Sequence, residues 1–150
     1  MKQPDEKEMK EIRGALENRN ILIAWKPEYE YGILILDEQH RGIVAAMNSL
    51  YYATQHKLGG NMLAPVVGMV TEYARIHFGM EEEFLEKCGF PDIQEHKELH
   101  RKLMSETDSI GRKSIDRRDP QMFLQFLKEW WVGHICHADL AFRQYIAANR

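Results

Sequence analysis

The stretch ARIHFGMEEEFLEKCGFPDIQEHKELH, residues 74–100, decides how the chain folds. It holds two helical patterns on either side of Gly89, Phe90 and Pro91. A glycine at Gly89 can take the left-handed conformation that ends a helix, and a proline at Pro91 suits the first turn of the next. Residues four apart on an α-helix differ by about 40° around the axis. His77 and Glu81 therefore share a face of the first segment, and His96 and His100 share a face of the second. Taken alone, the first pair reads as a helix ion pair or solvated face beside Glu82 and Glu83, and the second is also readable as charged surface. Two imidazoles one turn apart are also a standard grip for a transition metal.

Working outward, Asn61 is placed to cap the helix that ends near Lys87, with Pro65 tolerated in its first turn. Before it, Asp37 can cap a helix running to about Lys57, with Ile43, Met47, Leu50 and Tyr51 as its apolar stripe and Gly59 and Gly60 ending it. The third helix runs from Pro91 to about Lys113. Asp119 and Pro120 open a fourth that reaches the C-terminus. Residues 21–36, ILIAWKPEYEYGILIL, mix β-branched residues with Pro27 and Gly32, which suits an extended arm anchored by Trp25 and Tyr31. Residues 1–20 form an N-terminal extension in which Met9, Ile12 and Leu16 have the spacing of a short extra helix. No segment shows the sustained alternation of a half-buried strand. The expectation is an all-α, up-down antiparallel four-helix bundle over residues 21–150, with an N-terminal extended arm.

Composition narrows the function. A chain of 150 residues, 44% of them apolar, builds one core, and a net charge of −3 argues against nucleic acid or a polybasic membrane contact. The polar start and the lack of a long apolar run point to a cytoplasmic protein with no membrane segment. Cys88 and Cys136 read as reduced thiols rather than a disulfide framework. What remains to explain is seven histidines.

On the fourth helix, Asp139 sits five residues past His134, about 140° around an α-helix. That offset is poor for chelating one ion, though it suits an acid that reaches across to bridge two. His40, and His134 on its Trp-rich face, are each also readable as satisfied core histidines. Jointly, four antiparallel helices each supply an imidazole (His40, His77, His96 with His100, His134), and two also supply a carboxylate (Glu81, Asp139). Five imidazoles, two bridging carboxylates and a single-atom oxygen bridge fill about eleven of the roughly twelve positions around two octahedral metals, leaving one for a small ligand.

The chain resembles the bacterial hemerythrins from Trp25 to Tyr145. The matching stretches are Trp25 through Gly32-Ile33, Leu36-Asp37-Glu38-Gln39-His40, Asn48-Ser49-Leu50-Tyr51 and His77-Phe78-x-x-Glu81-Glu82, then Phe90-Pro91 followed by His96-x-x-x-His100, and Trp130-x-x-x-His134-Ile135-x-x-x-Asp139. The resemblance implies a hemerythrin-like domain that binds dioxygen reversibly at two iron ions, Fe2+ or Fe3+, joined by an oxo or hydroxo bridge. It assigns one iron to His96, His100 and His134, the other to His40 and His77, and makes Glu81 and Asp139 the bridges. Dioxygen would enter at the two-histidine iron, and Phe78, Trp130, Trp131 and Ile135 would form an apolar oxygen pocket. His56 and His137 match no ligand position.

The implied role is oxygen transport, storage or delivery by a monomer, without catalysis. The alternatives are an oxygen or redox sensor working through a partner protein and the N-terminal extension, or a diiron enzyme acting on peroxide or nitric oxide. The Glu-x-x-His pairs of carboxylate-rich diiron enzymes are missing. Two positions depart from the family pattern: Trp131 stands where a pocket leucine is expected, and Phe142 where a tyrosine is common. Trp131, by its size and its place one turn before His134, is expected to limit access to the open iron or to change the lifetime of bound oxygen. Trp131→Leu should then alter oxygen affinity or autoxidation rate; unchanged values of both would contradict this.

Overall fold

Leu36, Ile43, Met47 and Leu50 recur at helical spacing and bury one face of α1, Leu34–Gln55, in the computed structural model, which describes residues 5–10, 21–138 and 140–149. The helix starts before Asp37 rather than at it. The Asp37 carboxylate is engaged backwards, accepting from the backbone N–H of Tyr31 at 2.6 Å and of Gly32 at 3.1 Å. It thus closes the turn in which Gly32 takes φ 80°.

The glycines expected to end α1 instead begin α2, Gly59–Lys87, and Asn61 lies inside its first turn with no capping role. The reversal falls earlier because Lys57 itself adopts φ 61° and Leu58 N donates to Ala53 O at 2.7 Å, a Schellman-type closure that needs no glycine. At the far end Gly89, φ 69°, ends α2 as expected, with Phe90 N donating to Leu85 O. The next helix, α3, spans Ile93–Arg117 and passes the expected end near Lys113. It stops where Arg118 turns left-handed and Asp119 N donates to Ser114 O. Pro120 opens α4, Pro120–Trp130, and Asp119 Oδ1 accepts from Met122 N at 3.1 Å, the expected cap.

The fourth limb is not one continuous helix. After α4 the backbone widens into a π-helix over Trp131–Ala138, and α5 follows over Leu140–Ala148. Helix α1 packs on α2, α2 on α3, α3 on α4, and α4 back on α1. The connections between them are short, which makes neighbours antiparallel. The described residues form an all-helical bundle, and Phe123, Leu127, Leu85 and Phe142 fill its apolar part.

The arm lies on this bundle as the sequence suggests, apart from one 3-10 turn at Pro27–Tyr29. Asn48 on α1 accepts the N–H groups of Leu22 and Ile23 and donates to Ile23 O, all at 2.9 Å. Trp25 packs under the Arg41 guanidinium, 4.4 Å from its ring centroid, and Tyr31 is buried. Arg143 on α5 donates to Glu28 O. Residues 6–10 form a short helical stretch, while Ile12 and Leu16 lie outside the described residues. No helix among the described residues is long and apolar enough to cross a membrane.

Two glycines separate close packing from helix propensity. A β-carbon on Gly111 of α3 would lie 2.7 Å from Val67 Cγ1 of α2, whereas one on Gly68 meets nothing within 4 Å. Valine is stiff about χ1 and cannot easily yield. Gly111→Ala is therefore expected to destabilise by about 1–2 kcal/mol, overpacking exceeding the helix gain. Gly68→Ala should instead stabilise by up to about 1 kcal/mol. Urea unfolding of both variants checks the opposite signs.

Candidate metal centre

Each limb of the bundle brings an imidazole to one buried point. His40 on α1 and His77 and Glu81 on α2 are fully buried. His96 and His100 on α3, and His134 in the π-helix, are also buried. Their donor atoms form two groups, each within 4.8 Å: Glu81 with His96, His100 and His134, and His40 with His77 and Glu81. Glu81 belongs to both. Its Oε1 lies 2.5 Å from His96 Nε2 and 3.2 Å from His100 Nε2, and its Oε2 lies 3.2 Å from His77 Nε2. His40 Nε2 faces His77 Nε2 at 2.9 Å.

The proton positions follow from the next layer of side chains. His77 Nδ1 donates to Gln39 Oε1, and His100 Nδ1 donates to Glu82 Oε1, each at 2.8 Å. A neutral imidazole that gives its one proton away at Nδ1 turns a lone pair outward at Nε2. Both Nε2 lone pairs therefore point at Glu81 and its neighbours. The buried Glu81 Oε2 and His100 Nε2 have no aligned hydrogen bond among the described residues. Convergent lone pairs around a buried carboxylate repel one another until a cation sits among them. The donor set thus fits a metal, and imidazole with carboxylate suits divalent transition ions.

The electrostatics agree. Burial alone would raise the Glu81 carboxyl, but hydrogen bonds from His100, His77 and His96, made when their Nε2 atoms carry a proton in place of a metal, outweigh it and hold the group well below the usual carboxylate range. Burial pushes His40 well below its ordinary value, aided by His77 and opposed by Glu81. Burial likewise lowers His134 to about 3 despite the opposing carboxylate. An ionised acid beside neutral imidazoles is the state in which such ligands bind metal.

Three of the four pocket residues have described side chains. Phe78 stacks on His100 with centroids 3.9 Å apart and meets His134 edge-on at 5.4 Å, and Trp130 stacks on His134 at 6.0 Å. Both rings cover the three-histidine group. Ile135 is buried and its carbonyl accepts from Tyr31 Oη at 2.9 Å. The side chain of Trp131 lies outside the described residues, as do those of His137 and Asp139. The two-histidine group is bordered by Tyr31, edge-on to His40 at 4.6 Å, with Phe142 against Tyr31 at 5.0 Å. His56 is exposed and packs on Tyr52 instead.

Residue spacing alone misses Gln39 and Glu82. The only signal for them was adjacency, one immediately before His40 and the other immediately after Glu81; Glu82 in particular reads as part of a solvated acidic run. The backbone around His134 is π-helical over Trp131–Ala138, with bonds running i to i+5, so the roughly 100° per residue of an α-helix does not hold there; Asp139 itself lies outside the described residues.

A family model described as the hemerythrin HHE cation binding domain matches residues 31–145. A bacteriohemerythrin of Stenotrophomonas maltophilia is 28% identical over 129 residues, covering 85% of this chain and 84% of that protein. One from Clostridium acetobutylicum is 28% identical over 131 residues, covering 83% of this chain and 99% of that protein. A third, from Methylococcus capsulatus, is 25% identical over 132 residues, covering 85% and 98%.

The depressed imidazoles carry a stability consequence. In the unfolded chain a histidine titrates near about 6.5, whereas folded His134 accepts a proton only near about 3. Between those values the unfolded state binds the extra proton, so stability falls as pH drops through that window. The urea midpoint of the metal-free protein is expected to fall from about pH 7 to about pH 5. His134→Leu should flatten part of that slope, with His40 acting in the same direction.

Proposed function

Because the chain belongs to the hemerythrin HHE cation-binding family, we propose that its buried cluster holds two iron ions joined by an oxo or hydroxo bridge and binds dioxygen reversibly, for oxygen delivery or storage. The observation that carries this reading is Glu81, one wholly buried carboxylate common to a three-histidine and a two-histidine group. His96, His100 and His134 would hold one iron, and His40 and His77 the other. Glu81 would lie between them, and Asp139, outside the described residues, would be the second bridge. The irons would supply the electrons that dioxygen draws on when it binds.

The chain's own residues do the rest. With one imidazole fewer, the His40–His77 half offers the open coordination position. Gln39 and Glu82 fix the tautomers of His77 and His100 so that Nε2 is available on each. Phe78, Trp130, Tyr31 and Phe142 keep water from both halves, which favours a bound small ligand over its hydrolytic or protonated release.

Binding rather than turnover is supported by the donor set. The chain's one acid-x-x-His pair is Asp37 with His40, and Asp37 is already committed to the Tyr31 and Gly32 amides. The cluster therefore stays rich in imidazole and poor in the carboxylates that reductive oxygen activation uses.

An optical spectrum of air-exposed protein is expected to show iron charge-transfer bands that bleach on anaerobic reduction and return with dioxygen, at about two irons per chain by elemental analysis. Bands that fail to return, or steady consumption of oxygen or peroxide, would contradict reversible binding. Glu81→Gln is expected to lower iron content from about two per chain to below one without loss of helical circular dichroism. Full iron loading in that variant would remove the bridging role.

A further inference from the structure

The network around the two-histidine group does not stop at Gln39. While its Oε1 accepts from His77 Nδ1, its Nε2 donates to Met80 Sδ, 2.9 Å away. Gln39 and His77 are buried, but Met80, three residues past His77 on α2, is 39% exposed. A side-chain amide can sit either way round, and its neighbours decide which. A thioether sulfur only accepts, so it keeps Nε2 on its own side and leaves Oε1 for His77. With the amide reversed, Gln39 would offer an N–H to His77 Nδ1. The histidine proton would then have to move to Nε2, the atom that faces Glu81 and His40. A surface methionine thus holds the tautomer of a buried imidazole through one amide.

We propose that Met80 is a peroxide-modifiable site whose oxidation loosens metal at the His40–His77 half; this rests on the reading that metal is held there. Hydrogen peroxide is the oxidant. The sulfur lone pair attacks one peroxide oxygen, the O–O bond breaks as the S–O bond forms, and after proton transfer the second oxygen leaves as water. The sulfur is oxidised by two electrons and the peroxide reduced by two. At 2.9 Å there is no room for an added oxygen between Sδ and Gln39 Nε2. The polar sulfoxide turns to the solvent that Met80 already touches, and the amide loses the acceptor that fixed its orientation. His77 then loses its fixed tautomer, while the contact between Glu82 and His100 on the other half is untouched.

The test uses the full chain stripped of metal, its fold verified by circular dichroism. One portion is treated with hydrogen peroxide and then dithiothreitol, which returns mildly oxidised Cys88 and Cys136 thiols but not methionine sulfoxide. Peptide mass spectrometry measures oxidation at Met80 and, for comparison, at exposed Met62 and Met69. Each portion is titrated with cobalt(II), followed by its visible bands. Two uptake steps are expected, and oxidation should weaken the second by about tenfold while leaving the first unchanged. Methionine sulfoxide reductase should restore it. Met80→Leu, which lacks the acceptor, should show the weakened second step without peroxide and no further change with it.

An oxidised wild type that titrates like the untreated chain overturns the proposal, and so does a Met80→Leu variant that remains as sensitive to peroxide as the wild type. An untreated chain that takes up no cobalt overturns the metal reading itself and this proposal with it, and is told apart by the missing first step.

Discussion

A carboxylate with no exposed surface has to be answered by its surroundings, and Glu81 sets the terms for the rest of the bundle. Left alone in an apolar core, an ionised acid costs several kcal/mol, and the usual escape is to take up a proton. Here the escape is closed when the Nε2 atoms of His100, His77 and His96 around its two oxygens carry a proton or share a cation with it. Those imidazoles are in turn pulled out of water, and His134 and His40 resist protonation through burial. The centre of the molecule is therefore a set of groups that neither solvent nor protons satisfy well. A wholly apolar layer of the same volume would hold the helices together better. The polar layer is sensible as a place where a cation completes the charge balance.

The packing around that centre keeps it dry and in register. Aromatic rings press directly on the ligands: Phe78 on His100, Trp130 on His134 and Tyr31 on His40. Tyr31 belongs to the arm, not to a bundle helix, and it is held by Asp37 at its backbone and by the Ile135 carbonyl at its hydroxyl. The arm is thereby part of the site wall, which gives a reason for the three hydrogen bonds that Asn48 spends on residues 22 and 23. Phe142, where a tyrosine is common, packs edge-on to Tyr31 at 5.0 Å.

Much of this was legible in the sequence because it rests on periodicity. Four-residue spacing puts His77 with Glu81 and His96 with His100 whatever the tertiary context, and apolar positions recurring every three or four residues announce the helices. Helix ends were less legible where the chain reverses at Lys57 and Arg118. These are ordinary residues in the left-handed region, held by backbone closure rather than by a glycine preference. The π-helix over Trp131–Ala138 was invisible for a related reason. Its composition is that of an α-helix, and no residue pattern within it marks a wider turn. Gln39 and Glu82 were hidden in plain view, since a polar residue beside a ligand reads as solvated until the fold shows which way it faces.

Once seen, those two residues make the halves of the site unequal in one direction. Glu82 offers His100 a charged acceptor, and Gln39 offers His77 a neutral one. A carboxylate behind an imidazole raises its basicity more than an amide does, and so strengthens its bond to a metal. The half with the stronger acceptor is also the half with three imidazoles and with Phe78 and Trp130 packed over it. Ligand number, acceptor charge and covering rings would all make the α3 side the tighter holder of an ion. The α1 side is left with fewer donors, a neutral acceptor and a link to a surface methionine. A pair of metals held this way would not be two copies of one site: one ion would serve mainly to fix the bridge, and exchange with the outside would fall to the other.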